Sequence, residues 1–153
     1  MKLSKEGTKF LQEQEDFRSK PYLDGGDVPT VGFGTTRYPS GKKVSLSDPP
    51  LSFQQAEAIF RINLVSYEEA VTSAMDINLE QHEFDALVSL CYNIGISAFK
   101  KSTLVKIADR KDGMMQEAAQ ILRWNKDNGV EVRGLVNRRR RERCMFLGLP
   151  YDD

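Results

Sequence analysis

Between Lys20 and Val44 the chain abandons helical patterning, and that change constrains the fold more than any other feature. Glycines and prolines punctuate short β-prone runs: Pro21-Tyr22-Leu23, then Gly25-Gly26, then Thr30 to Gly34, then Pro39-Ser40-Gly41. The runs favour extended backbone and the breaks are turn chemistry, so the stretch reads as a small antiparallel sheet of two or three strands. A sheet this small is not stable alone in water. It must lean on helices. The expected class is therefore α+β, with a β lobe, an α lobe and a cleft between them.

The flanking segments supply those helices. Ser4 is an N-cap, with Leu3 before it and Glu6 in the first turn. A helix follows from about Lys5 to Glu15, with Phe10, Leu11 and Phe17 as its apolar edge. Gly7 is expected to weaken it slightly. Ser52 and Gln55 form a capping box, after which Phe60, Leu64, Tyr67, Val71 and Ala74 recur at steps of four and three. A helix from Phe53 to about Met75 would be roughly 34 Å long, enough to link two lobes. Glu57 and Arg61 would pair on its exposed side.

Phe84, Leu87, Val88, Cys91 and Ile94 make a further stripe, ended by Gly95, that reads as the central helix of the α lobe. Ser102 caps a short helix from Thr103 to Asp109, and Asp112-Gly113 is a break. Met115, Ala118, Ala119 and Leu122 predict a helix up to Trp124. Asn125 to Gly134 reads as a polar loop. The last helix runs from Leu135 to Leu147, with Gly148 at C′ and Pro150 beyond. At 153 residues this is one domain with two lobes. The β lobe spans about 16–51, the linking helix 53–75, and the α lobe 76–153 together with the helix 4–15.

Composition closes off several classes. Hydrophobic content of 40% and charged content of 29% are ordinary for a soluble domain. Lys plus Arg equals Asp plus Glu at 22 each, which argues against a nucleic-acid binder driven by overall charge. Cys91 and Cys144 fall at apolar helical positions and read as two buried free thiols, with a disulfide as the alternative. His82 is the only histidine and the cysteines have no partners at ligand spacing, so no metal site and no cofactor are expected. The N-terminus is too polar for a signal peptide or membrane anchor.

Chemistry concentrates between Glu15 and Gly34. Glu15 closes a helix, Asp24 opens a glycine turn nine residues on, and Thr30 heads a strand six residues later. Two carboxylates in different surroundings are what glycosidic hydrolysis requires: one stays protonated to serve the leaving oxygen, the other stays ionised. The helix dipole and partial burial both favour a raised pKa at Glu15. Asp24 before Gly-Gly is also ordinary turn chemistry, and it could activate water, stabilise charge on the ring or attack directly. Asp27 is a rival carboxylate three residues later. Gly32 and Gly34 read as positions of close backbone approach or bending, with no chemistry of their own.

Glu15, Asp24 and Thr30 at these spacings, with Pro21-Tyr22 before Asp24 and Val31-Gly32-Phe33-Gly34 after Thr30, resemble the active-site signature of the phage-type lysozymes, glycoside hydrolase family 24. Asp85 to Ser89, Tyr92 to Gly95, Phe99, Ser102 to Leu104 and Gly134-Leu135-Val136 with the arginines at 138 and 139 agree with the same family. The resemblance covers about Ser4 to Gly148.

The resemblance implies a lysozyme-like fold and hydrolysis of the β-1,4 bond from N-acetylmuramic acid to N-acetylglucosamine in peptidoglycan, for lysis of a bacterial host. Glu15 is then the general acid, Asp24 acts on an attacking water with inversion, and Thr30 hydrogen-bonds that water. Tyr92, Asn93, Phe99, Ser102, Arg123 and Trp124 form the floor of the saccharide groove, with Trp124 equally readable as core. Arg138 is expected to pair with Glu15, and most of the run Arg138 to Arg141 with Arg143 to be solvated helix face. Thr35-Thr36 stands where many members place a histidine. The protein is expected to be a monomer that binds no nucleic acid, inserts in no membrane and waits in the host cytoplasm. It would reach the wall in the periplasm through a holin-type pore. An effector against competing bacteria, or a wall-binding module without catalysis, are the alternatives.

Overall fold

In a computed structural model, which describes residues 1–108 and 114–151, the three long helices before Gly95 and the last helix fall close to where periodicity puts them. The expected helix end at Asp109 and break at Asp112-Gly113 lie outside the described residues. The chain divides into two compact units, Lys9–Val65 and Met1–Thr8 with Ser66–Asp153, whose boundaries fall inside the first two helices.

The first unit holds the small sheet. Helix α1 (Lys5–Glu15) leads into β1 (Arg18–Leu23), which pairs antiparallel with β2 (Pro29–Gly32). Tyr22 lies opposite Thr30 and Arg18 opposite Gly32, with the register shifting between them. Two strands form, supplemented by isolated bridges Val31–Thr35 and Arg37–Lys43. The sheet leans on an aromatic cluster, as its size requires. Phe33 packs on Phe17, Phe53 and Phe60 with ring centroids 5.4 to 5.5 Å apart. Gly32 has φ +69 and lies where a Cβ would stand 3.1 Å from Ala56, which bears out the close-approach reading. Helix α2 (Phe53–Ala74) starts on the expected box: Ser52 N–H donates to Gln55 Oε1 at 2.9 Å and Gln55 N–H to Ser52 Oγ at 3.1 Å. Glu57 is half-buried rather than exposed, and accepts from Gln12 Nε2 of α1 at 3.0 Å.

The second unit is built around α3 (Gln81–Ile94), buried at every position from Glu83 to Cys91. A helix covered on all sides is a core element, as its stripe implies. Helix α7 (Arg133–Phe146) packs along it and ends in a Schellman motif: Leu149 N–H bonds the Cys144 carbonyl and Gly148 N–H the Met145 carbonyl, with Gly148 at φ +70. Ser4 Oγ accepts from Gly7 N–H at 2.9 Å, the expected cap, and donates in turn to the buried Asp85 carboxylate. Gly7 has a packing role that periodicity does not reveal, since a Cβ there would lie 2.5 Å from Asp85 Cγ.

Three local expectations are corrected. A separate helix, α4 (Ile96–Lys101), precedes the Ser102 cap, so Ser102 closes α4 and opens α5 (Thr103–Ile107). Helix α6 (Met115–Ile121) stops short of Trp124, because Leu122, Arg123 and Trp124 donate to carbonyls three residues back and tighten the chain out of the helix. The polar loop contains a hairpin, β3 (Lys126–Asp127) against β4 (Val130–Glu131), turned by Asn128 and Gly129 at φ +50 and +77. Asn-Gly with both residues at positive φ is the two-residue turn that matches strand twist. Cys91 and Cys144 are both free, Cys91 fully buried and Cys144 only half-buried. No described helix is long and apolar enough to cross a membrane.

Candidate active site

Glu15, Asp24 and Thr30 all belong to one unit, on three successive pieces of chain. Glu15 is the last residue of α1 and is half-buried. Asp24 follows β1 in a turn its own side chain organises: Oδ1 accepts from Gly26 N–H at 2.8 Å and from Val28 N–H at 3.0 Å. Its N–H donates to the Val28 carbonyl at 3.1 Å. The short polar side chain replaces a turn of backbone hydrogen bonds, so the turn reading and the functional reading of Asp24 hold together. Asp27 stands exposed at φ +58 on the tip of the same loop.

Thr30 is 3% exposed in β2 and its Oγ1 donates to the Val28 carbonyl at 2.9 Å. A hydroxyl that has spent its proton can only accept from a further partner. Asp24 Oδ2 carries no hydrogen bond among the described residues, so the turn fixes one carboxylate oxygen and leaves the other open.

Tyr22, opposite Thr30 in the strand pair, sits in the negative field of the acidic residues around it. Burial raises its phenol above the ordinary value, the Arg18 guanidinium opposes that, and Glu15, Asp24 and Asp16 raise it further. Arg18 lies over the Tyr22 ring at 4.5 Å from the centroid. Pro21-Tyr22 carries part of the family resemblance, and the pairing of Tyr22 with Thr30 sets it in the strand that leads to Asp24.

The residues expected along the saccharide groove lie in the second unit. Ser102, Arg123 and Trp124 line one open depression of about 400 Å3. Asn93 and Trp124 line another of about 500 Å3 with Val132 and Leu135. Trp124 is a half-exposed wall shared by both, and its core reading is set aside. Phe99 is fully buried. Ser102 is 5% exposed and its hydroxyl donates to the Phe99 carbonyl at 2.6 Å. Tyr92 packs against Tyr67 with the rings tilted at 52° and their centroids 4.9 Å apart.

Arg138 and Arg139 are buried, which corrects the expectation that most of the arginine run faces solvent. Arg138 Nε meets Glu142 Oε1 at 3.0 Å and its terminal nitrogen donates to the Ser89 carbonyl at 3.2 Å. Arg139 meets Glu142 Oε2 at 2.8 Å and donates to the Asn93 amide oxygen. Ser89 Oγ donates to Glu142 Oε1 at 2.8 Å. Glu142 and Ser89 were missed as members of this cluster. The only sequence signal was the i, i+3 and i, i+4 spacing of Glu142 to the two arginines.

The sequence profile of the phage lysozyme family matches residues 12–142. The endolysin of Salmonella phage P22 is 35% identical over 147 residues, which is 96% of this chain and 99% of that protein. The endolysin of Bacillus phage B103 is 35% identical over 150 residues, and the chain spans 54% of its length. Among solved structures, the endolysin of Escherichia coli O157:H7 phage FAHEc1 superposes with a TM-score of 0.90 at 34% identity, covering 100% of this chain and 98% of that one.

Proposed function

The chain belongs to the phage lysozyme family, and from that premise we propose that it is a peptidoglycan-hydrolysing endolysin that cuts the β-1,4 bond from N-acetylmuramic acid to N-acetylglucosamine. Glu15 gives its proton to the glycosidic oxygen as the bond to the anomeric carbon breaks. A water attacks that carbon from the opposite face and passes a proton to Asp24, inverting the configuration.

The observation that carries this reading is the shared anchoring of Asp24 and Thr30 on Val28. Thr30 Oγ1 can only accept and Asp24 Oδ2 is open. A water donating one hydrogen to each has both lone pairs facing away from the protein, toward the carbon it attacks. Orienting a nucleophile in this way removes entropy from the barrier before reaction.

Trp124, Arg123 and Asn93 are the proposed sugar contacts, since an aromatic face with polar neighbours suits rings that are apolar on one side. Tyr92, Ser102 and Arg138 complete the proposed set of saccharide-groove residues. The protein acts on the wall as a monomer without a cofactor. An enzyme made in the host cytoplasm needs a path to the periplasm, and a holin-type pore is the proposed route.

The test is clearing of outer-membrane-permeabilised Gram-negative cells by the purified protein beside Glu15→Gln. The wild type should clear the suspension, with the variant slower by about 10²- to 10⁴-fold, the range for loss of a general acid. Equal clearing by both would remove Glu15 from the mechanism. Wall binding without clearing by either would make the protein a binding module.

A further inference from the structure

Only two residues join the helix that ends in Glu15 to the strand that leads to Asp24, because α1 stops at Glu15 and β1 starts at Arg18. The first of them, Asp16, has φ +53. Residues with a Cβ avoid that left-handed conformation, and Asp and Asn tolerate it best because their side chains bond the local backbone. Asp16 does so: its Oδ1 accepts from Phe17 N–H at 3.0 Å. Its own N–H still bonds the Gln12 carbonyl at 3.1 Å, so α1 is intact up to the residue where the chain reverses. Asp16 is exposed, so its side chain is not held there by packing.

The second joint residue, Phe17, is held by ring contacts to Phe33 at 5.5 Å and to Phe53 at 5.4 Å. Phe33 lies three residues after Thr30. One end of the joint therefore carries Glu15, and the other is pinned to the cluster that supports β2.

We propose that Asp16 is a positioning residue for Glu15: its left-handed backbone, secured by the bond from Phe17 N–H, sets where the Glu15 carboxylate stands relative to Asp24 and Thr30. This rests on the reading of Glu15 as the general acid. The argument needs the backbone conformation and an acceptor oxygen, and it does not need the charge of Asp16.

The experiment compares kcat and KM on soluble peptidoglycan fragments for wild type, Asp16→Asn, Asp16→Ala, Asp16→Val and Glu15→Gln, each checked for folding by circular dichroism. Asn keeps both the oxygen and the tolerance of positive φ, so it should stay near wild type. Val resists positive φ most strongly, and its kcat should fall by about ten- to a hundredfold with KM unchanged, as a misplaced reacting group gives. Ala, with a smaller barrier to the same conformation, should lie between them and serves if Val does not fold. A folded Val or Ala variant with wild-type kcat overturns the proposal, and so does an Asn variant as impaired as Val. If Glu15→Gln is inactive while Asp16→Val is normal, only this inference fails. If Glu15→Gln matches wild type, or wild type is inactive, the reading of the site fails with it.

Discussion

Asp24 and Thr30 are held by opposite ends of one residue: Val28 donates its N–H to Asp24 Oδ1 and accepts from Thr30 Oγ1 at its carbonyl. Val28 is itself 43% exposed, so its contribution comes through its backbone. A tight turn and the start of a strand thus fix two side chains six residues apart as a single unit.

That coupling separates hydroxyl from shape at position 30. Thr30→Ser keeps the bond to Val28 and should retain most activity. Thr30→Val keeps the volume but loses the hydroxyl. It should cost about 0.5–1.5 kcal/mol of stability for the lost hydrogen bond, since the Val28 carbonyl keeps the Asp24 N–H as a donor, and reduce turnover far more than Ser does. Urea melts beside initial rates on the same preparations test both halves. Equal rates for Ser and Val would show that the hydroxyl does not handle the water.

Gly7 offers a test of sign. Helix propensity alone makes Gly7→Ala stabilising by about 0.8–1 kcal/mol. The added Cβ would stand 2.5 Å from Asp85 Cγ, a carboxylate held by Ser4 and Gln81. Overpacking of that kind costs about 1–3 kcal/mol, so the variant should melt below wild type. A raised melting temperature would mean that Asp85 moves freely aside.

Glu142 bridges two buried guanidinium groups, one of them fully inaccessible, with one carboxylate oxygen on each. Removing one partner of a buried pair leaves an uncompensated charge, which costs about 3–5 kcal/mol. Glu142→Ala should therefore lower the melting temperature sharply, whereas Arg140→Gln, at an exposed position in the same helix, should change stability by about 0.5 kcal/mol or less. Similar losses from both variants would contradict the network.

Burial pushes the Cys91 thiol from 9.0 up to about 12. Above the lower value the unfolded chain releases a proton that the folded chain keeps, so the folded state binds more protons and stability falls as pH rises. The contribution is present below about 9 and is lost between about 9 and 12. Cys91→Ala lacks it, so the stability difference between wild type and variant should shrink across that window. Native protein at pH 8 should expose one reactive thiol, Cys144, to a disulfide reagent, because Cys91 is fully buried. Rapid labelling of both thiols would overturn the assignment.

The helices α1, α2 and α3, the Ser4, Ser52 and Ser102 caps and the Gly148 stop could all be read from residue order. They depend on interactions three to five residues apart, and such interactions lie in the sequence itself. The spacing of Glu15, Asp24 and Thr30 was legible for the same reason, since one short helix end, one turn and one strand hold all three. The Asn128-Gly129 hairpin also had a local signal. Its strands of two residues each are too short to show alternation, so it passed as loop.

Other features depended on chain far away in sequence. Arg138, Arg139 and Arg140 are identical side chains in a row, and the packing of α7 against α3 decides that the first two are buried and the third exposed. Gly7 is required because Asp85, 78 positions on, fills the space beside it. Trp124 became a wall when α6 tightened and released it, and Val28 became the anchor of the site through its backbone alone. Side-chain identity records which contacts a residue can make. Which of them it makes is set by the surface that tertiary packing brings to it.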